Sequence, residues 1–234
     1  MKIILFFLLY IFEGNDTFMK FNDLFDCECL LLKDFFDKYN YPFECLEDIG
    51  SFIIEIGKKL PSDKYDCLGN NIWIDKSVEV SKHAILNGPL IVMEDTCIRP
   101  NAYIRGNVFI GRNSVIGNST ELKNCILLDN VQVPHFNYVG DSILGNNVHL
   151  GAGVIVSNLR SDKRNVKVED IDTGIRKVGA FIGDKVEVGC NSVICPGTVI
   201  GKNTVIYPLV MVKGVIEKDK IIKKNNEVVN KYFC

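Results

Sequence analysis

The stretch Ile104-Arg105-Gly106-Asn107-Val108-Phe109-Ile110-Gly111-Arg112-Asn113-Ser114-Val115-Ile116-Gly117-Asn118-Ser119-Thr120-Glu121-Leu122 carries an aliphatic side chain at every sixth position. The step extends backwards through Ile98, Val92, Leu86, Val80 and Ile74, and forwards to Leu128. With about a third of residues aliphatic in an ordinary chain, ten successive hits arise by chance on the order of once in tens of thousands. The register then slips, and Leu144, Leu150 and Val156 continue in a new phase. A polar, charged stretch from Ser157 to about Arg176 interrupts it. The step resumes at Ile182, Val188, Ile194, Ile200, Ile206 and Val212.

A period of six is neither helical nor simple alternation. It fits a chain that turns a corner every six residues and points one aliphatic side chain inward each time. Three such sides close a triangular coil of about eighteen residues, and stacked coils bury a continuous aliphatic column. Glycine often follows the inward residue, as at Gly111, Gly117, Gly145 and Gly183, and is expected to serve the tight corners. The fold class is therefore mainly β, a parallel β-helix.

Outside residues 70–215, the chain reads differently. The run Ile3 to Phe12 is apolar but too short to span a bilayer, and Glu13, Asn15 and Asp16 follow it without a small-residue cleavage site. Residues 1–18 are expected to be an apolar tail or a start placed too early, and a membrane anchor is not the favoured reading. Residues 19–65 hold two helical patterns, roughly Phe21 to Tyr39 and Pro42 to Lys59, the second with Phe43, Leu46, Ile49, Ile53 and Ile56 at three- and four-residue spacing. They are expected to form a small N-terminal helical cap on the first coil, because an uncovered solenoid end recruits other strands. Residues 157–180 form a loop insertion. The tail, 216–234, is expected to cap the other end.

A formal net charge of -2 gives no reason to expect nucleic acid or an anionic membrane as partner. The nine cysteines are odd in number, irregularly spaced and without a C-x-x-C, which argues against a zinc ribbon and for reduced thiols in the cytoplasm. Of the three histidines, His83 lies about three coils before His135, too far to share one metal ion with it. No metal site is expected.

Two features could carry chemistry. Arg105 and Lys123 stand eighteen residues apart, so they stack, each just after an inward aliphatic. Stacked cations suit a phosphate, although two solvated charges on an outer face would leave the same pattern. The stretch Val133-Pro134-His135-Phe136-Asn137-Tyr138-Val139-Gly140-Asp141 lies within the register slip. It presents a histidine, an amide, a phenol and a carboxylate together where the coil is expected to be distorted. Histidine is the usual general base near neutral pH.

From about Tyr103 to Val212 the chain resembles the acetyltransferase half of the bifunctional UDP-N-acetylglucosamine pyrophosphorylase/glucosamine-1-phosphate acetyltransferase. The core of the likeness is Pro134 to Asn158, where the family shows H-x-x-Y-x-G-D and then G-A-G-x-x-x-x-N. The resemblance implies a left-handed β-helix, a homotrimer with sites built between chains, and acetyl-coenzyme A as cosubstrate of an N-acetyl transfer to an amino sugar or its phosphate. It implies His135 as general base, Arg105 and Lys123 on the sugar phosphate, and Tyr138 and Asn158 as substrate contacts. Arg164 or Lys163 falls near a phosphate-binding lysine. Cys190 and Pro208 fall where the acetyl group and coenzyme A meet the corner. His149 stands in place of a substrate-binding asparagine, Leu159 in place of an aromatic and Cys190 in place of a serine. These departures keep a second reading open: a non-catalytic trimer that binds a sugar nucleotide and partners a separate nucleotidyltransferase. No glycine-rich phosphate loop precedes the repeats, so a uridylyltransferase reaction is not expected.

Overall fold

A computed structural model describes residues 20–232, except the side chain of Asn226. The apolar run Ile3 to Phe12 lies outside the described residues. From Ile72 onward the chain winds as a parallel β-helix of three faces. Inward residues of the first face are Ile74, Val92, Ile110, Leu127, Leu144, Ile182 and Ile200, paired coil to coil. Those of the second are Ile98, Ile116, Val133, Leu150, Val188 and Ile206, and those of the third Ile104, Leu122, Val139, Val156, Ile194 and Val212. All of them sit in one apolar column. Buried hydroxyls stitch coil to coil: Thr96 donates to the Gly111 carbonyl at 2.9 Å and Thr120 to that of Val133 at 2.9 Å.

Two details of the register differ from the six-residue expectation. Leu128 does not join the column; Leu127 does. The step from Leu122 is five residues, and so is the step from Val139 to Leu144. Both short steps fall at the corner between third and first faces. There a single left-handed residue, Asn124 or Asp141, replaces the Gly106-Asn107 pair of the preceding coil. The chain thus crosses from one face to the next inside single strands, Glu121–Leu127 and Tyr138–Leu144. The coil around Pro134 to Asp141 is therefore not distorted, as its sequence suggested; it is one residue shorter.

The corners also differ in residue type. Left-handed positions are filled mainly by asparagine, including Asn101, Asn113, Asn130, Asn147, Asn191 and Asn203, which tolerates that region because its short amide bonds locally. The glycines after the inward aliphatics are not left-handed. Gly117 is needed because a Cβ there would fall inside the Pro134 backbone of the next coil.

The N-terminal segment lies along a side of the β-helix rather than over its first coil. Helices α1 (Phe21–Leu24), α2 (Leu30–Phe36) and α3 (Ile49–Gly57) pack on outward residues of the first face, Trp73, Ile91, Phe109, Ile126, Ile143, Phe181 and Val199. The strap runs counter to the winding. Its start meets late coils, where the Leu24 carbonyl accepts from Asp184 N–H at 3.0 Å. Its middle meets Asn124, whose amide donates to the Leu46 carbonyl at 3.1 Å. The single helix expected over Phe21 to Tyr39 is broken at Phe25 to Cys29. The extended chain there lets Asp26 N–H donate to Asp184 at 2.7 Å and its carbonyl accept from Asn146 at 2.8 Å. At the first coil, Val80 and Ile85 remain 40% and 60% exposed.

The loop after Val156 leaves from the same corner as the two short steps. It forms a small hairpin, Lys167–Val168 with Ile171–Asp172, and tucks Val166, Val168 and Val178 into the apolar layer under the strap. At the far end, Lys220–Ile222 adds to the second face and Val228–Asn230 turns back antiparallel on it.

Candidate functional site

The third face gathers most of the candidate residues. At the corner where the chain enters it, His135, Ala152, Cys190 and Pro208 stack in successive coils. Gly153 N–H donates to the His135 carbonyl at 3.0 Å, Asn191 N–H to that of Ala152 at 2.8 Å, and Leu209 N–H to that of Cys190 at 3.0 Å. The candidate base and the two candidate cofactor residues therefore share one edge. His135 is exposed. Its backbone N–H donates to Asn137 Oδ1 at 3.0 Å, and Asn137, only 2% exposed, ties on to the Gly151 carbonyl at 2.8 Å. The turn that presents the histidine is thus pinned from beneath.

In the middle of the face stands Tyr138, half-buried, between Glu121 of the coil before and Ile155 of the coil after. Burial first, then the nearby Asp141 carboxylate, pushes its phenol above the ordinary tyrosine range, so it stays protonated near neutral pH and can donate a hydrogen bond.

At the corner where the chain leaves the face, Arg105 and Lys123 stack, with Arg105 N–H on the Leu122 carbonyl at 2.8 Å. Each cation already faces a carboxylate. Arg105 meets Glu121 at 2.8 Å, a hydrogen bond that holds the guanidinium above its ordinary value. Lys123 meets both oxygens of Asp141, at 3.0 and 3.1 Å. Asp141, 4% exposed, also accepts from Asn124 at 2.9 Å and from the Asn158 amide. That same amide donates to the Tyr138 hydroxyl at 3.0 Å. Gly140 makes this approach feasible: a Cβ there would lie 2.5 Å from the Tyr138 oxygen and 2.8 Å from Asn158 Nδ2.

Two candidates lie elsewhere. His149 is on the second face, between Gln132 and Glu187, with Nδ1 2.9 Å from the Glu187 carboxylate. Arg164 is exposed on the loop, its N–H on Asp162 Oδ1 at 3.2 Å. It lines a groove with Arg160, Asn165, Lys167 and Asp172 and takes no part in the third-face network. Asp162 itself is held well below the usual carboxylate range by its hydrogen bond from Arg160. Glu121 and Asn124 are residues that spacing did not single out, and Asp141 stood out only as one polar member of its stretch. A sharper signal was present: Asn124 and Asp141 each follow an inward residue by two positions, where the step shortens to five.

Comparisons with known proteins agree with this architecture. A family model described as the GMPPB C-terminal domain matches residues 86–173, and one described as bacterial transferase hexapeptide (six repeats) matches residues 179–214. A bifunctional protein GlmU of Methanococcus aeolicus is 32% identical over 202 residues, covering 76% of this chain and 48% of that protein. A bifunctional sugar-1-phosphate nucleotidylyltransferase/acetyltransferase of Sulfurisphaera tokodaii is 37% identical over 163 residues, covering 60% of this chain and 41% of that protein. The chain spans about half the length of the curated relatives it matches. Among solved structures, the acetyltransferase domain of PglB from Neisseria gonorrhoeae in complex with acetyl coenzyme A is 15% identical, with 76% of each chain covered and a TM-score of 0.34. The six-residue steps, the matched hexapeptide model and the sequence relatives converge: the chain is a hexapeptide-repeat β-helix protein similar to the bifunctional GlmU proteins.

Proposed function

We propose that this protein is an acetyl-coenzyme A-dependent N-acetyltransferase acting on an amino sugar, in particular an amino-sugar phosphate. The observation that carries the reading is the layout of the third face. The candidate base and cofactor residues His135, Cys190 and Pro208 share its entry corner, while Arg105 and Lys123 stack at its exit, with Tyr138 between. An acceptor lying across the face would hold its phosphate at the cations and its amine toward His135.

In this mechanism the amine attacks the thioester carbonyl, forming the C–N bond. His135 takes the proton the nitrogen loses. The C–S bond then breaks, and coenzyme A leaves as the thiol after receiving a proton. Backbone N–H groups at the corner suit the oxyanion. Because the His135 ring has no hydrogen-bond partner among the described residues, a homotrimer, in which a neighbouring chain completes the site, belongs to this reading. So does a cytoplasmic setting with reduced thiols. Among the described residues, no helix is long and apolar enough to cross a membrane.

The test is coenzyme A release from acetyl-coenzyme A with glucosamine 1-phosphate as acceptor. Wild type is expected to turn over, and His135→Ala to lose roughly 10²–10⁴-fold in kcat; equal slow release by both refutes the mechanism. A second reading, a silent sugar-nucleotide-binding trimer, is favoured by the engagement of His149 with Glu187 and by Cys190 at the acetyl position. Calorimetry that finds sugar-nucleotide binding without coenzyme A binding selects it.

A further inference from the structure

We infer that Asp141 is a positioning residue of the third-face site: it aims Lys123 and, through Asn158, fixes Tyr138 as a hydrogen-bond donor toward the acceptor. The inference rests on the reading of that face as the acceptor site.

The first half follows from burial. The Asp141 side chain is 5% exposed while Lys123 is 25% exposed. A carboxylate so far from water needs charged or hydrogen-bonding partners around it. Asp141 meets this need by drawing the Lys123 ammonium against both of its oxygens, which confines an otherwise flexible four-carbon stem to one direction at the edge of the face.

The second half follows from donor and acceptor arithmetic. A carboxylate only accepts, so the Asn158 group facing Asp141 must be its NH₂, which has two hydrogens. One goes to Asp141 Oδ2 and the other to the Tyr138 oxygen. Asn158 therefore has no side-chain N–H left for a ligand and acts through Tyr138. With its oxygen accepting from Asn158, the phenol keeps its own proton for a partner on the open face, such as a hydroxyl or phosphate oxygen of the acceptor.

A purely structural carboxylate looks different, and the fold contains one. Asp184, 3% exposed at its side chain, accepts backbone N–H groups from Asp26 and Asn146 at 2.7 Å each, has the Asn146 amide at 3.1 Å and Lys202 at 3.8 Å beside it, and fastens the strap; none of these partners belongs to the candidate site. The donors to Asp141 are three side chains, of which Lys123 and Asn158 belong to the candidate site. The third, Asn124, links the hub to the strap at Leu46.

The test compares Asp141→Asn with Asp184→Asn in the whole 234-residue chain. At position 141 the substitution keeps the volume but turns an amide NH₂ on the donors of Lys123 and Asn158. The expected result is a rise of roughly ten-fold or more in KM for glucosamine 1-phosphate, with KM for acetyl-coenzyme A within about two-fold of wild type. Asp184→Asn is expected to lower Tm and leave both KM values in place. A crystal structure of Asp141→Asn is expected to show Lys123 Nζ and the Asn158 amide displaced. An unchanged acceptor KM alongside a raised one in Lys123→Met overturns the inference, as does a uniform loss in kcat and both KM values. Should wild type transfer no acetyl group, the functional reading fails. The structure of the variant then decides the positioning role by itself: Lys123 and Asn158 unmoved would refute it.

Discussion

Phe109→Ala compared with Phe136→Ala tests where the N-terminal segment sits. Both phenylalanines project outward from the β-helix. Phe109 is 1% exposed. It is flanked on the first face by Ile91 and Ile126 and has its ring centroid 6.5 Å from that of Phe52 on α3. Phe136 is 61% exposed at a left-handed corner. Truncating a fully buried phenylalanine loses its transfer free energy and leaves a cavity, together about 3–5 kcal/mol. For a chain of this size that lowers Tm by roughly 10 °C. Truncating the exposed one changes stability by less than about 0.5 kcal/mol. Thermal unfolding followed by circular dichroism, with urea midpoints as a second measure, reads both. The reasoning is refuted if the two variants unfold together, because a strap folded over the end of the first coil would leave Phe109 in solvent and its loss without consequence.

Further outcomes follow from the same geometry. Gly140→Ala pushes a methyl group against the Tyr138 oxygen and Asn158; acceptor KM should rise several-fold while acetyl-coenzyme A KM stays constant, as steady-state kinetics will show. Lys202 contacts Asp26 at 2.7 Å and, mainly by that hydrogen bond, lowers its pKa below the ordinary aspartate value. A lowered folded-state pKa contributes stability above the unfolded value, and that contribution disappears as pH falls through the folded one. Urea midpoints of wild type and Lys202→Gln should therefore differ slightly at neutral pH and converge as the pH drops below 3.8 and on through the lowered pKa; a gap that widens towards acid would contradict the assignment.

The inward column was legible because neither a helix, with about 3.6 residues per turn, nor a flat strand, which alternates every two, has six residues as its own repeat. Ile98, Ile104, Ile110, Ile116 and Leu122 follow that step, and all are buried in the column. The five-residue steps were not legible in this way. Leu127 and Leu128 are both leucines, and period alone cannot say which one turns inward. Pairing with Ile110 and Leu144 decides for Leu127.

The candidate site was legible in part. Tyr138 stands on the third face, with His135 at its entry corner and the stacked Arg105 and Lys123 at its exit corner, while His149 and Arg164 do not join them. The surroundings of Asp141 were not legible, because only the short step brings Lys123, Asn124 and Asn158 around one buried carboxylate.

By itself the sequence determined the β-helix, because an inward position that recurs in every coil must be apolar wherever the column is buried. It also held a sign of the strap. The outward residues of the first face, Trp73, Ile91, Phe109, Ile126, Ile143, Phe181 and Val199, are all large and apolar, whereas the second face includes Glu79, Gln132, His149 and Glu187 at the equivalent places. Only the tertiary structure decided that the N-terminal helices cover that face rather than the end. An amphipathic pattern says that a helix has an apolar side, and says nothing of which apolar surface will meet it.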